Sequence, residues 1–168
     1  MDIVYRKIQS GDNKILATII RNIFIELNIP TEGTVYTDPT TDDLYKLFKT
    51  PNATLWVAQE GETVLGCCGI YPTDALPEGC AELVKFYLAP KARGKKIGKT
   101  LFEKSLESAI EYGYSSIYIE SFPQFVDAIK MYKKFGFSYL TNPLGNSGHF
   151  GCNIWMVKQL ICRQTSAD

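Results

Sequence analysis

Leu88-Ala-Pro-Lys-Ala-Arg-Gly-Lys-Lys-Ile-Gly98 is the stretch that decides the fold. It closes an apolar, strand-like run at Pro90, turns through Arg93 and Gly94, and opens a helix at Ile97. The first amides of a helix have no intrahelical acceptor and stand at the positive end of its dipole. Glycine lets the backbone approach a ligand closely, so such a corner suits anions. From Lys85 to Lys99 the chain carries six basic residues (Lys85, Lys91, Arg93, Lys95, Lys96, Lys99) and no acidic one. Over the whole chain 18 Lys plus Arg balance 18 Asp plus Glu, so the positive field is local. The corner predicts a polyphosphate ligand held at Arg93, Gly94, Lys95, Lys96, Ile97, Gly98 and Lys99. The other meaning of the lysines is a solvated face.

Beyond this corner, Leu101, Phe102, Leu106, Ala109 and Ile110 recur at helical spacing as an inner face, with Glu103, Lys104, Glu107 and Glu111 outward and Gly113 as the stop. Before it, Ala81–Leu88 reads as a strand, and Ala53–Gln59 and Thr63–Tyr71 as a hairpin turning at Glu60 and Gly61. The N-terminal part gives a strand over Asp2–Ile8 and a helix carrying Leu16, Ile19, Ile20, Ile23, Phe24 and Leu27, with Asp12 as its cap. A long loop, Asn28–Thr41, and a short helix, Asp42–Phe48, follow. After the central helix come a strand over Ser116–Ser121, a helix over Phe125–Phe135 ended by Gly136, and strands over Phe137–Leu140 and Gly151–Gln159. This order predicts an α+β fold, a mixed sheet covered by helices. Residues 1–160 form one domain in this reading and 161–168 a tail, frayed over Gln164–Asp168.

Composition narrows the function classes. The 168 residues are 45% hydrophobic, 12% aromatic and 21% charged, an ordinary globular balance that speaks against disorder. Zero net charge gives no general attraction to nucleic acid or an anionic membrane. No apolar run approaches a membrane span, and the N-terminus lacks a secretory pattern, so a cytoplasmic location is expected. Five cysteines, Cys67, Cys68, Cys80, Cys152 and Cys162, are odd in number, without a CxxC, and the single histidine is His149. Reduced packing thiols and no metal site are expected.

Two families hold phosphates at a strand–turn–helix corner. Arg93-Gly-Lys-Lys-Ile-Gly-Lys-Thr100 resembles a nucleotide P-loop only in its second half. Arg93 stands where the first glycine belongs, the loop from Gly94 is short, and hairpins precede it where parallel strands are wanted. The same residues resemble motif A of the GNAT superfamily of acetyl-CoA-dependent N-acetyltransferases, [QR]xxGx[GA], with Arg93 at the first position and Gly98 at the last. Lys96 occupies the central glycine position, a departure. Ala128-Ile-Lys-Met-Tyr-Lys-Lys-Phe-Gly-Phe137 resembles the family's AxxxYxxxGF signature, and the element order matches from Asp2 to about Gln159.

The resemblance implies a central, mostly antiparallel, splayed sheet of about seven strands flanked by about four helices. It implies acetyl-CoA as cofactor, with Phe86, Tyr87 and Leu88 offering backbone to the pantetheine arm and Ala128 lining it. The asparagine often found seven residues before the signature tyrosine is replaced by Phe125, with Gln124 as the expected substitute. Tyr132 would protonate the departing sulfur; its other meaning is a core tyrosine with a satisfied hydroxyl. Glu82, eleven residues before Arg93, and Glu120 stand where different members place the general base; either may be read instead as a solvent-facing strand residue, and a water chain to either would serve. The acceptor is a small-molecule or peptide amine approaching from the side of the loops Asn28–Thr41, Tyr71–Gly79 and Asn142–Gly148. Glu32, Asp38, Asp74 and Glu78 in or beside those loops would suit a cation, and His149 is at most a substrate contact. Homodimers are common in the family but unmarked here. A non-catalytic acyl-CoA sensor or scaffold is the competing function.

Overall fold

A computed structural model describes residues 2–160; the expected tail at 161–168, including Cys162, lies outside the described residues. The elements are β1 (Ile3–Lys7), α1 (Asn13–Glu26), α2 (Leu44–Leu47), β2 (Thr54–Glu60), β3 (Thr63–Tyr71), β4 (Cys80–Leu88), α3 (Ile97–Glu111), β5 (Ser116–Ser121), α4 (Val126–Lys134), β6 (Ser138–Tyr139) and β7 (Ile154–Gln159). The strands form one seven-stranded sheet in the order β1-β2-β3-β4-β5-β7-β6. Every neighbouring pair is antiparallel except β4–β5, which is parallel. This is the mixed, mostly antiparallel α+β sheet expected, and it does not suit a P-loop domain. No described helix is long and apolar enough to cross a membrane.

Each face of the sheet carries its own core. Alternation along β4 and β5 sends Ala81, Leu83, Ile117 and Ile119 to one face, where Leu101, Phe102, Tyr132 and Phe137 cover them. The opposite face packs Leu55, Val57 and Phe122 against Leu16, Ile20 and Phe24 of α1. Cys80, Glu82, Tyr118 and Glu120 alternate with the first set and point to this second face.

Several local expectations shift. Asp12 precedes α1 but does not cap it with its side chain; its carboxylate takes both ends of the Arg6 guanidinium, at 2.7 and 2.9 Å, and the Gln9 amide at 2.8 Å. Ile110 is not an inner-face residue: it is 42% exposed. The buried face of α3 is not purely apolar, because Ser105 and Ser108 occupy inner positions. The Ser105 hydroxyl satisfies itself on Leu101 O at 2.9 Å, and Ser108 Oγ accepts the Trp56 indole N–H at 3.0 Å. The expected Asp42–Phe48 helix is a 3₁₀ turn over Pro39–Asp42 followed by one turn of α2. The last strand begins at Ile154, since the Gly151 N–H is used on Gly33 O at 2.8 Å.

Two features of β4 open the fold. The β4–β5 ladder stops after three register pairs, Cys80–Ser116 to Glu82–Tyr118. Further along, Val84 faces Gly69 and Tyr87 faces Cys67, so Lys85 and Phe86 together oppose Cys68 as a β-bulge, with Lys85 at φ 54°.

The aromatic cluster under α3 centres on Phe102, whose ring lies 4.9 to 6.2 Å from those of Phe135, Tyr132, Phe137 and Phe86. Phe102→Ala is therefore expected to destabilise by about 3–5 kcal/mol. Urea unfolding would show a lower midpoint at unchanged slope.

Candidate active site

At the corner between β4 and α3, Gly94 (φ 73°) and Lys96 (φ 61°) are both left-handed. Those two kinks turn the amides outward. Among the described residues none of the six N–H groups from Gly94 to Lys99 donates to a backbone or side-chain acceptor, and the first bond into the helix is Thr100 N–H to Lys96 O at 3.1 Å. Among the described residues no side chain caps the start of α3. Gly98 packs directly on β4: a Cβ there would stand 2.8 Å from Leu88 Cδ1. The corner is an anion cradle made of backbone.

A groove of about 330 Å³ runs from this cradle between β4 and α4. Phe86, Tyr87, Leu88, Arg93, Gly94, Lys96, Gly98, Lys99, Gln124 and Ala128, all expected from sequence, line it. Lys95 and Ile97 do not; Ile97 is 1% exposed within the core, so only its amide serves the corner. Arg93 borders the groove, but its guanidinium clamps Glu26 of α1 at 2.6 and 2.9 Å. That ion pair braces α1 against the corner. Ile23 of α1, Leu27 just after its end, and Phe125, Val126, Asp127 and Met131 around α4 complete the lining. Nothing in the sequence marked Ile23 and Leu27, whose apolar spacing already served the core.

A second cavity of about 70 Å³ lies where β4 and β5 part. Phe86, Tyr87, Phe125 and Ala128 line both spaces, so the two adjoin. Glu82, Glu120 and Tyr132 all line the second cavity. Glu82 is 5% exposed, and burial, helped by the Glu120 charge, pushes its carboxyl up to about 8. Its Oε1 accepts the Thr73 hydroxyl at 2.7 Å. Glu120 accepts hydroxyls from Tyr118, at 2.7 Å, and from Ser147. Glu82 is thus no solvent-facing strand residue, and Glu120 is half-buried. The Tyr132 ring is core, but its hydroxyl makes no hydrogen bond among the described residues; burial raises its pKa and keeps it protonated.

The three expected loops do converge here. Asn146 N–H donates to Asp74 O at 2.7 Å, Leu144 N–H to Tyr118 Oη at 3.1 Å, and His149 Nε2 meets Asp38 Oδ2 at 2.7 Å. His149 lines the cavity, whereas Glu32, Asp38, Asp74 and Glu78 do not; the carboxyl groups that line it are those of Glu82 and Glu120. Lys85, grouped by sequence with the basic corner, belongs to this cavity as well: the bulge turns it away from α3. Cys67 and Cys68 are fully buried, with Cys67 pushed up to about 12 by burial, which makes them packing groups. Among the described residues no group of His, Cys, Asp and Glu side chains could hold a metal.

A splayed sheet with an anion cradle at one end of the split and a carboxylate-lined cavity at the other defines an acyl-transfer scaffold. The profile of the Acetyltransferase (GNAT) family matches residues 21–137, and the chain belongs to that family. It is 32% identical over 158 residues to the uncharacterized N-acetyltransferase YjgM of Escherichia coli K12, covering 94% of this chain and 95% of that one. Among solved structures it is similar to a GNAT-family acetyltransferase from Staphylococcus aureus Mu50, with a TM-score of 0.82 at 21% identity over 95% of this chain and 100% of that one. It is also similar to the PaiA N-acetyltransferase of Thermoplasma acidophilum solved with coenzyme A, with a TM-score of 0.74 at 20% identity over 95% and 100% of the two chains. The protein is thus a GNAT-type acetyltransferase, and its cofactor is acetyl-CoA. The amides of Gly94 to Lys99, unclaimed among the described residues, fit the diphosphate of such a cofactor.

Lys96 holds a conformation that costs an L-residue about 1–2 kcal/mol. Lys96→Gly is expected to raise thermal stability by about 1 kcal/mol while keeping the cradle's shape. Lys96→Glu should instead weaken acetyl-CoA several-fold in calorimetric titrations at low salt, the difference fading as salt rises.

Proposed function

We propose that the protein moves the acetyl group of acetyl-CoA directly to a primary amine within a ternary complex, with Glu82 as general base and Tyr132 as proton donor. The observation that carries this reading is the meeting of two groups at one small cavity. A buried carboxyl raised to about 8 and a tyrosine hydroxyl with no partner among the described residues face a space that opens into the cofactor groove.

When bound, acetyl-CoA supplies the acetyl group as a thioester. The chain's own residues do the rest. The amides from Gly94 to Lys99 hold the phosphates. The β4 edge from Leu83 to Leu88, past the end of the β4–β5 ladder, offers main-chain donors and acceptors in the manner of a strand that lacks its neighbour. Glu82 takes a proton from the acceptor's ammonium, and its raised pKa matches that task near neutral pH. Glu120, already engaged by two hydroxyls, acts through its charge, which helps to raise Glu82. Tyr132 holds at its Oη the proton that the departing sulfur needs.

The sign of the pH dependence follows. A base must be deprotonated, so kcat/KM should rise with pH and level off above about 8. Glu82→Gln should remove that rise and lower turnover by on the order of 10²-fold or more, read as thiol release over an amine panel. Because Glu82 binds its proton more tightly folded (about 8) than at its ordinary value of 4.5, its contribution to stability is complete below 4.5 and is lost as pH climbs through about 8. Glu82→Gln should abolish that loss in urea unfolding across pH. Tyr132→Phe should lower kcat with little change in acetyl-CoA affinity; equal turnover would make the hydroxyl dispensable. Tight acetyl-CoA binding with no thiol release on any amine would favour a sensor.

A further inference from the structure

Lys85 is 8% exposed on the bulge of β4 and lines the cavity that holds Glu82, yet among the described residues its ammonium has neither a hydrogen bond nor a carboxylate within 4.0 Å. The anions around it are otherwise committed. Both oxygens of Asp38 are used, Oδ1 by the Thr40 amide and hydroxyl at 2.9 and 2.7 Å and Oδ2 by His149 at 2.7 Å. Both oxygens of Glu120 take hydroxyls. Glu82 is held partly protonated by its burial. A cation buried without a counter-ion is costly, and burial pushes the Lys85 pKa down in response. The bulge adds a second cost, since it holds Lys85 in the left-handed region at φ 54°. A leucine or methionine would fill the same space without a buried charge.

We propose that Lys85 is the anchor for a carboxylate carried by the acceptor, so that the amine acetylated here is that of a free amino acid. Resting on the acetyl-transfer reading above, this assigns the two ends of the cavity: the acceptor's carboxylate pairs with the Lys85 ammonium and its amino nitrogen lies at Glu82. An α-amino acid carries these two groups on one carbon, and Lys85 and Glu82 line the same cavity. The apolar walls supplied by Val35, Phe122 and Phe125 receive the carbon side chain.

The test uses the protein saturated with coenzyme A and calorimetric titration of matched pairs: each of the common amino acids against its decarboxylated amine, such as alanine with ethylamine or phenylalanine with 2-phenylethylamine. At least one amino acid should bind about tenfold or more tightly than its amine, the size of one charge-assisted contact. Lys85→Met should collapse that ratio to near one. Lys85→Asn, which tolerates the left-handed backbone, provides the same comparison should the methionine variant fold poorly. If amines bind as well as their amino acids throughout, or if the preference survives both substitutions, the assignment is overturned. Thiol release is measured separately. Lys85-dependent binding without turnover defeats the transferase reading and leaves the carboxylate anchor standing. Turnover that is equal for both series defeats the anchor and leaves the transferase. A fall in kcat of the same size for both series in Lys85→Met, with KM unchanged, would make Lys85 a proton-handling group and also overturn the proposal.

Discussion

The parting of β4 from β5 is the constraint on which the rest depends. A parallel pair that ends after three register pairs leaves two strand edges inside the fold, and buried main-chain groups there need partners. The protein resolves this by making the split useful. On one side β4 runs on to a helix start whose amides are unclaimed; on the other, Glu82 and Glu120 are brought to diagonal positions on adjacent strands. The bulge at Lys85 belongs to the same solution, since it re-aims β4 where the ladder is lost. Had the two strands stayed paired to Leu88, neither the groove nor the cavity would exist.

The loops supply what the sheet cannot. Thr73, Tyr118 and Ser147 deliver hydroxyls to the two carboxylates, and Asp38 with His149 ties the first long loop to the last. These contacts fix the side chains around the cavity, and burial dominates the protonation of Glu82. One carboxylate is saturated with donors and the other has a single hydroxyl. That asymmetry leaves Glu82 the less hydrogen-bonded of the two, with burial raising its carboxyl to about 8.

Much of this was legible from residues alone, and the limits have physical causes. The helix from Ile97, the hairpin of β2 and β3, and the succession of strands and helices along the chain follow from periodicity and turn chemistry, which are local. The corner at Arg93 to Gly98 was legible because a charge cluster coincided with a helix start. Its internal geometry was not: Lys96 adopts the conformation a glycine would be expected to supply, and Arg93 turns to Glu26, 67 residues away in sequence. Ile110 was misplaced because apolar count cannot reveal that Ser105 and Ser108 face inward once Trp56 arrives from another strand. Lys85 was counted with the phosphate corner because a bulge, which moves a side chain from one side of the split to the other, leaves no mark in a single strand's pattern.

The central claim is that main-chain amides at the start of α3 grip the diphosphate of acetyl-CoA. Its most direct measurement is a titration of ¹⁵N-labelled protein with coenzyme A, following each amide by NMR. The amides of Gly94 to Lys99 should show the largest downfield shifts and slowed hydrogen exchange, whereas 4′-phosphopantetheine, which lacks the diphosphate, should leave them in place. Strong coenzyme A binding with those six amides unmoved would contradict the account.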